Sequence, residues 1–260
     1  MRSQAPLKLS LVGVGLATLL LFAGCGGDGS ASDTVQSSTP QQLILVYDRS
    51  TSITAEELAM YERLAAGKLE TLTHGDRVAA IELLQLSLDE TPNRWSQYVP
   101  EREFQNREMQ RDSISRARFI QDARDYLRRF TENENRDDYL GTDILSTLFD
   151  IGEEVRAYPD HRTTVVLFSD MLQATQDMNM EGLIRMPPPD WVETRASQGR
   201  LPDLSGACIV VVGARTDTAA GQRVKDFWME YFEATGAILL DRNYSYRPVN
   251  IQDRPCPGQG

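Results

Sequence analysis

The chain has 260 residues and a formal net charge of −11, with 41% apolar and 25% charged residues. That balance excludes a wholly disordered chain. The acidic excess and the lack of a basic stripe exclude nucleic-acid binding, which relies on clustered Lys and Arg against phosphate.

Residues 1–24 read as a leader. Arg2 and Lys8 flank a short polar stretch, Leu9 to Phe22 carries no charge, and Ala23-Gly24-Cys25 follows. This is the layout of a secretory signal. The apolar run is short for a stable membrane span, although an uncleaved anchor is the alternative. Removing residues 1–24 leaves 25 basic against 38 acidic residues, a net charge of −13. Residues 25–41 are mostly Gly, Ser, Thr, Gln, Asp and Pro without apolar periodicity, which predicts a flexible tether.

A globular domain is expected over 42–241, with a tail over 242–260. Leu43 to Tyr47 is wholly apolar, as a strand covered on both faces should be. Thr54 and Glu57 form a capping-box pattern, and Leu58, Tyr61, Leu64, Ala65, Leu69 and Leu72 then share a helical face. Arg77 to Leu84 predicts a second strand and Trp95 to Val99 an edge strand. Ile114 to Phe130 predicts a helix, and Ile144, Leu148, Ile151 and Val155 mark another.

Thr164 to Phe168 predicts strand four. Leu172 to Ile184 has no clear period, and Met186-Pro187-Pro188-Pro189-Asp190-Trp191 cannot be helix interior. Met171, Met178, Met180 and Met186 form either a soft contact surface or the filling of a folded-back loop. Ala207 to Val212 predicts strand five. Val224, Phe227, Trp228, Tyr231 and Phe232 mark a last helix whose aromatic row reads as core, with Gly236 as C-cap. Ala237 to Leu240 predicts strand six. Strands alternating with helices in this way indicate an α/β fold.

Three motifs sit where a strand stops or a helix starts. Asp48-Arg49-Ser50-Thr51-Ser52 follows strand one, Gly141-Thr142-Asp143 opens a helix, and Ser169-Asp170-Met171 follows strand four. Each alone matches ordinary turn and cap chemistry. Together they place hard oxygen donors at strand ends, which gather in one crevice of an open α/β sheet and suit Mg²⁺ or a similar ion. Arg49, between the donors, is expected to point to solvent.

At these residues the chain resembles the von Willebrand factor A domain and its metal-ion-dependent adhesion site. Asp48, Ser50 and Ser52 match that family's D-x-S-x-S, Thr142 its later threonine and Asp170 its aspartate after strand four. The resemblance runs over roughly residues 42 to 241 and implies a doubly wound, mostly parallel central sheet with helices on both faces. It implies Mg²⁺, or Mn²⁺ or Ca²⁺, on the oxygens of Ser50, Ser52 and Thr142, with Asp48 and Asp170 acting through water or directly. A protein partner's exposed Asp or Glu would fill the open position. The gap from Ser52 to Thr142 is long for the family, which implies an insertion between roughly Leu86 and Ser115.

Phe22-Ala23-Gly24-Cys25 likewise resembles a bacterial lipoprotein box, with Phe22 departing from the family's preference for Leu. It implies that Cys25 is lipidated and that the domain is anchored to the cell envelope, on its periplasmic or surface face. Gly26 in place of an Asp retention signal favours the outer membrane. Cys208 and Cys256 remain, either as a bridge pinning the tail or as a buried and an exposed free thiol. With no C-x-x-C and only His74 and His161, tetrahedral zinc is not expected.

The function these features imply is a membrane-tethered, divalent-metal-dependent adhesion or assembly module rather than an enzyme. One alternative is a Mg²⁺-dependent hydrolase of phosphate esters, against which D-x-S stands where that chemistry uses D-x-D. Walker A and G-x-S-x-G patterns are also missing, and no G-x-G-x-x-G occurs outside the leader region. A structural envelope protein with a fold-stabilising metal is the other alternative.

Overall fold

The computed structural model describes residues 39–83, 93–101, 109–132, 141–181, 185–247 and 256. The leader with Cys25, the tether up to residue 38, residues 86–92 and 102–108 of the expected insertion and most of the 242–260 tail lie outside them. Among the described residues no helix is long and apolar enough to cross a membrane.

The elements are β1 (Gln41–Asp48), α1 (Ala55–Leu69), β2 (Arg77–Leu83), β3 (Arg94–Tyr98), α2 (Met109–Thr131), α3 (Ile144–Ala157), β4 (Arg162–Phe168), α4 (Trp191–Ser197), β5 (Cys208–Val212), α5 (Ala219–Ala234) and β6 (Ile238–Ser245). The six strands form one sheet in the order β3-β2-β1-β4-β5-β6. β3 runs antiparallel to β2, and the other neighbours are parallel. The fold is therefore α/β, a doubly wound, mostly parallel sheet with helices on both faces.

Side-chain alternation along β1 divides the core in two. Ile44 and Val46 meet Ile144, Leu148, Val224 and Trp228 from α3 and α5 on one face. Leu43, Leu45 and Tyr47 meet Leu58, Tyr61, Phe119 and Leu127 from α1 and α2 on the other. A strand covered on both faces favours apolar residues at every position, which is why Leu43–Tyr47 of β1 and Val165–Phe168 of β4 are unbroken apolar runs. β3 is an edge strand and mostly exposed.

Three expectations need correction, and one further helix appears. Arg49 turns inward and is buried: its Nη1 donates to Glu82 Oε1 at 2.9 Å, and its Nη2 to the Glu132 carbonyl at 3.0 Å. A buried carboxylate at the end of β2 outcompetes solvent for the guanidinium. β6 runs to Ser245, past the expected domain end at 241, because Tyr244 and Ser245 pair with Val211 and Val212. The helix α4 follows the Pro run immediately and packs Trp191 against Phe227, ring centroids 5.7 Å apart. Thr235 is the C-cap of α5, and Gly236 follows it with φ 75°, the left-handed position that relieves a helix end.

The remaining ambiguities resolve simply. Met171, Met178 and Met180 are buried and Met186 half-buried, so they fill the loop rather than form a surface. Phe227, Trp228, Tyr231 and Phe232 are core. Cys208 and Cys256 form a disulfide with Cα atoms 5.9 Å apart.

Candidate metal centre

The chain passes from β1 to β2 on one side and reaches β4 on the other, so the sheet's switch point lies between β1 and β4. Crevices at such points, outside the carboxyl ends of the strands, are where open α/β sheets bind ligands. Asp48 is the last residue of β1, and Asp170 stands two residues beyond β4.

Asp48 is fully buried. Its Oδ1 accepts the Ser50 amide at 2.9 Å, an Asx turn that swings the chain out of the sheet. Its Oδ2 accepts Ser169 Oγ at 2.7 Å. Beyond the turn, Ser50 Oγ and Ser52 Oγ lie 2.9 Å apart, and Ser52 Oγ donates to Asp170 Oδ2 at 2.8 Å. Asp170 Oδ1 accepts the Leu172 amide at 3.0 Å. The D-x-S-x-S segment leads straight into α1, whose capping box is present: Thr54 accepts from the Glu57 amide and Glu57 Oε2 accepts from the Thr54 amide.

Asp48, Ser50, Ser52 and Asp170 are thus gathered on consecutive hydrogen-bonded positions. Thr142 is tied by its backbone to Ala174, four residues beyond Asp170. Its amide donates to the Ala174 carbonyl at 3.2 Å and its carbonyl accepts the Ala174 amide at 2.8 Å. Among the described residues its hydroxyl forms no hydrogen bond with those four. Asp143, not Thr142, caps α3.

The electrostatics are those of two acids sharing a crevice. Burial pushes the Asp170 carboxyl up to about 7, and the charge of Asp48 adds to the rise against the Leu172 and Ser52 hydrogen bonds. The Tyr61 phenol is also raised, first by burial and then by Asp48, Glu57 and Asp170. Its hydroxyl is buried and has no hydrogen-bond partner among the described residues. It leans on Gly213, where φ is 109° and an added Cβ would stand 2.9 Å from the Ser169 carbonyl. Only glycine admits that approach.

Among the described residues no three His, Cys, Asp or Glu side chains converge on one point. The donor set is instead two carboxylates linked through the Ser50 amide and the Ser50 and Ser52 hydroxyls. All-oxygen donors with a carboxyl held above its usual range by burial, and further by Asp48, fit a small hard divalent cation, which would offset both.

The role of Ser169 within the third motif, and Gln173 altogether, have no counterpart among the expected site residues. Ser169 bridges Asp48 and the Met171 amide, 2.9 Å from the latter; its position directly before Asp170 was the available signal. Gln173 is buried, and its Oε1 accepts the Ile144 and Leu145 amides at 2.8 and 3.2 Å. It satisfies the free N–H groups of α3 from 29 residues away. No local pattern announces such a partner.

No known family model matches this chain, and no curated protein matches it. Among solved structures it is similar to proximal thread matrix protein 1 from the mussel byssus, at 12% identity and TM-score 0.37, over 76% of this chain and 49% of that one. It thus spans about half the length of that protein. It is also similar to the manganese-loaded TRAP protein of Plasmodium vivax, at 12% identity and TM-score 0.34, over 80% of this chain and 68% of that one. Likeness at this distance assigns no role to any residue here.

Proposed function

We propose that this chain is a divalent-metal-dependent protein-interaction module of the von Willebrand factor A type, taking Mg²⁺, or Mn²⁺ or Ca²⁺, at Asp48, Ser50, Ser52 and Asp170, with Thr142 beside them. One observation carries the reading. Two carboxylates from the adjacent strands β1 and β4 are linked through Ser50 and Ser52 at the switch point, and their mutual repulsion helps to raise Asp170.

When bound, a cation held largely by neutral hydroxyls keeps positive charge and offers a position for a partner's carboxylate. The chain's own residues do the positioning. Asp48 holds the Ser50 amide, Ser169 holds Asp48, and Leu172 and Ser52 hold the two oxygens of Asp170. The partner is a protein with an exposed Asp or Glu. The leader pattern supports a lipid anchor at Cys25, with residues 25–41 as tether, on a bacterial envelope membrane.

Calorimetric titration of Mg²⁺ into the purified chain tests the site. Asp48→Ala and Asp170→Ala should abolish binding with the fold retained by circular dichroism, and partner capture from envelope extract should be lost in EDTA. Equal capture in Mg²⁺ and EDTA sinks the proposal.

A further inference from the structure

The candidate centre opens sideways into a pocket of about 220 Å³. Ser52 and Asp170 belong to both. The rest of the lining includes Leu172, Met180 and Val224, with Arg215 its one cation among the described residues. Met180 and Val224 are buried and Leu172 half-buried, so the apolar surface is recessed rather than displayed.

The pocket is smaller than the roughly 300–1,000 Å³ of small-molecule sites. It suits a single aliphatic side chain. A cationic occupant has less to gain than the acidic lining implies. Glu57, also in the lining, already accepts the Thr54 amide and hydroxyl at 2.7 Å each. Asp170 is committed to the centre, and Arg215 repels a second cation.

Resting on the metal-centre reading above, we infer that the partner's acidic residue is accompanied by a medium-sized aliphatic residue, Leu or Met, that fills this pocket. In an extended segment residues i and i+2 share a face, about 7 Å apart. The aliphatic residue therefore stands two positions from the acid. The carboxylate selects for charge and the pocket selects for sequence, which a metal alone does not do.

The test is titration of the full chain in Mg²⁺ with blocked peptides containing Leu-Gly-Glu or Glu-Gly-Leu, and with Leu replaced by Gly or Lys. One Leu peptide should bind about ten- to a hundredfold more tightly than its Gly counterpart, the gain from burying one aliphatic side chain. Ala220→Trp, which fills the pocket from the first turn of α5, should erase that gain with the Mg²⁺ titration unchanged. Leu172→Ser should weaken it without added bulk. Equal affinities for Leu and Gly peptides, or Lys as good as Leu, overturn the inference while leaving the metal site standing. Absence of Mg²⁺ binding overturns the metal site and this inference with it.

Discussion

The indole Nε1 of Trp228 donates to the Met171 carbonyl at 2.9 Å, holding from α5 the residue that follows Asp170. Met171 is, among the described residues, the one non-glycine residue with left-handed backbone, φ 65°. Such a conformation costs on the order of 1 kcal/mol or more and persists only where surroundings enforce it. Ser169 enforces it from the other side by accepting the Met171 amide. Asp170 is aimed by this pair of clamps.

Trp228→Phe keeps most of the buried ring and removes the donor. It should cost about 1–3 kcal/mol in urea unfolding, the penalty of an unpaired buried carbonyl. Mg²⁺ affinity should fall about tenfold, as for other residues that orient ligands from behind. Lost stability with unchanged Mg²⁺ affinity would show that the clamp serves the fold alone.

Asp170 makes stability depend on pH in a stated direction. Its folded value of about 7 lies above the ordinary value of 3.8. The folded state therefore keeps a proton that the unfolded state releases. The stability this contributes is fully present below about pH 4 and is lost as pH rises through 7. In EDTA, Asp170→Asn should be more stable than the parent at pH 8, by at least about 1 kcal/mol, and no more stable at pH 4. Mg²⁺ should stabilise the parent at pH 8 and progressively less towards pH 5, where the proton competes. Parent and variant melts that run parallel across this range would contradict the assignment.

The inward turn of Arg49 gives a third expectation. Glu82 is almost fully buried. Arg49→Met should cost about 3–5 kcal/mol by stranding that charge, although Asn93 still donates to it. Adding Glu82→Leu should recover much of the loss, which a double-mutant cycle in urea reads directly.

Much of the architecture was legible because it is written in local periods. The unbroken runs in β1 and β4, the capping box of Thr54 and Glu57, and the acid after each strand can all be read along the chain. What escaped depends on distant partners. Arg49 reads as a solvent residue until Glu82, 33 positions on, is brought beside it. Gln173 reads as loop until α3 arrives to be capped. β6 continues through Asp241-Arg242-Asn243, polar residues that end a strand by composition but not at a sheet edge with one exposed side. Of the five oxygen donors, four are joined by hydrogen bonds, and Thr142 is tied only to the Ala174 backbone, four residues beyond Asp170.

The parallel sheet also gives the domain a heading. β1 is entered at Gln41, next to Pro40, whose carbonyl accepts the Arg162 amide at the start of β4. Cys208 opens β5 at that same end and receives the tail through Cys256. The acids emerge at the far end, about 26 Å along an eight-residue strand. The start of β1 and the Cys208–Cys256 bridge therefore share one end of the sheet, and Asp48 and Asp170 stand at the other.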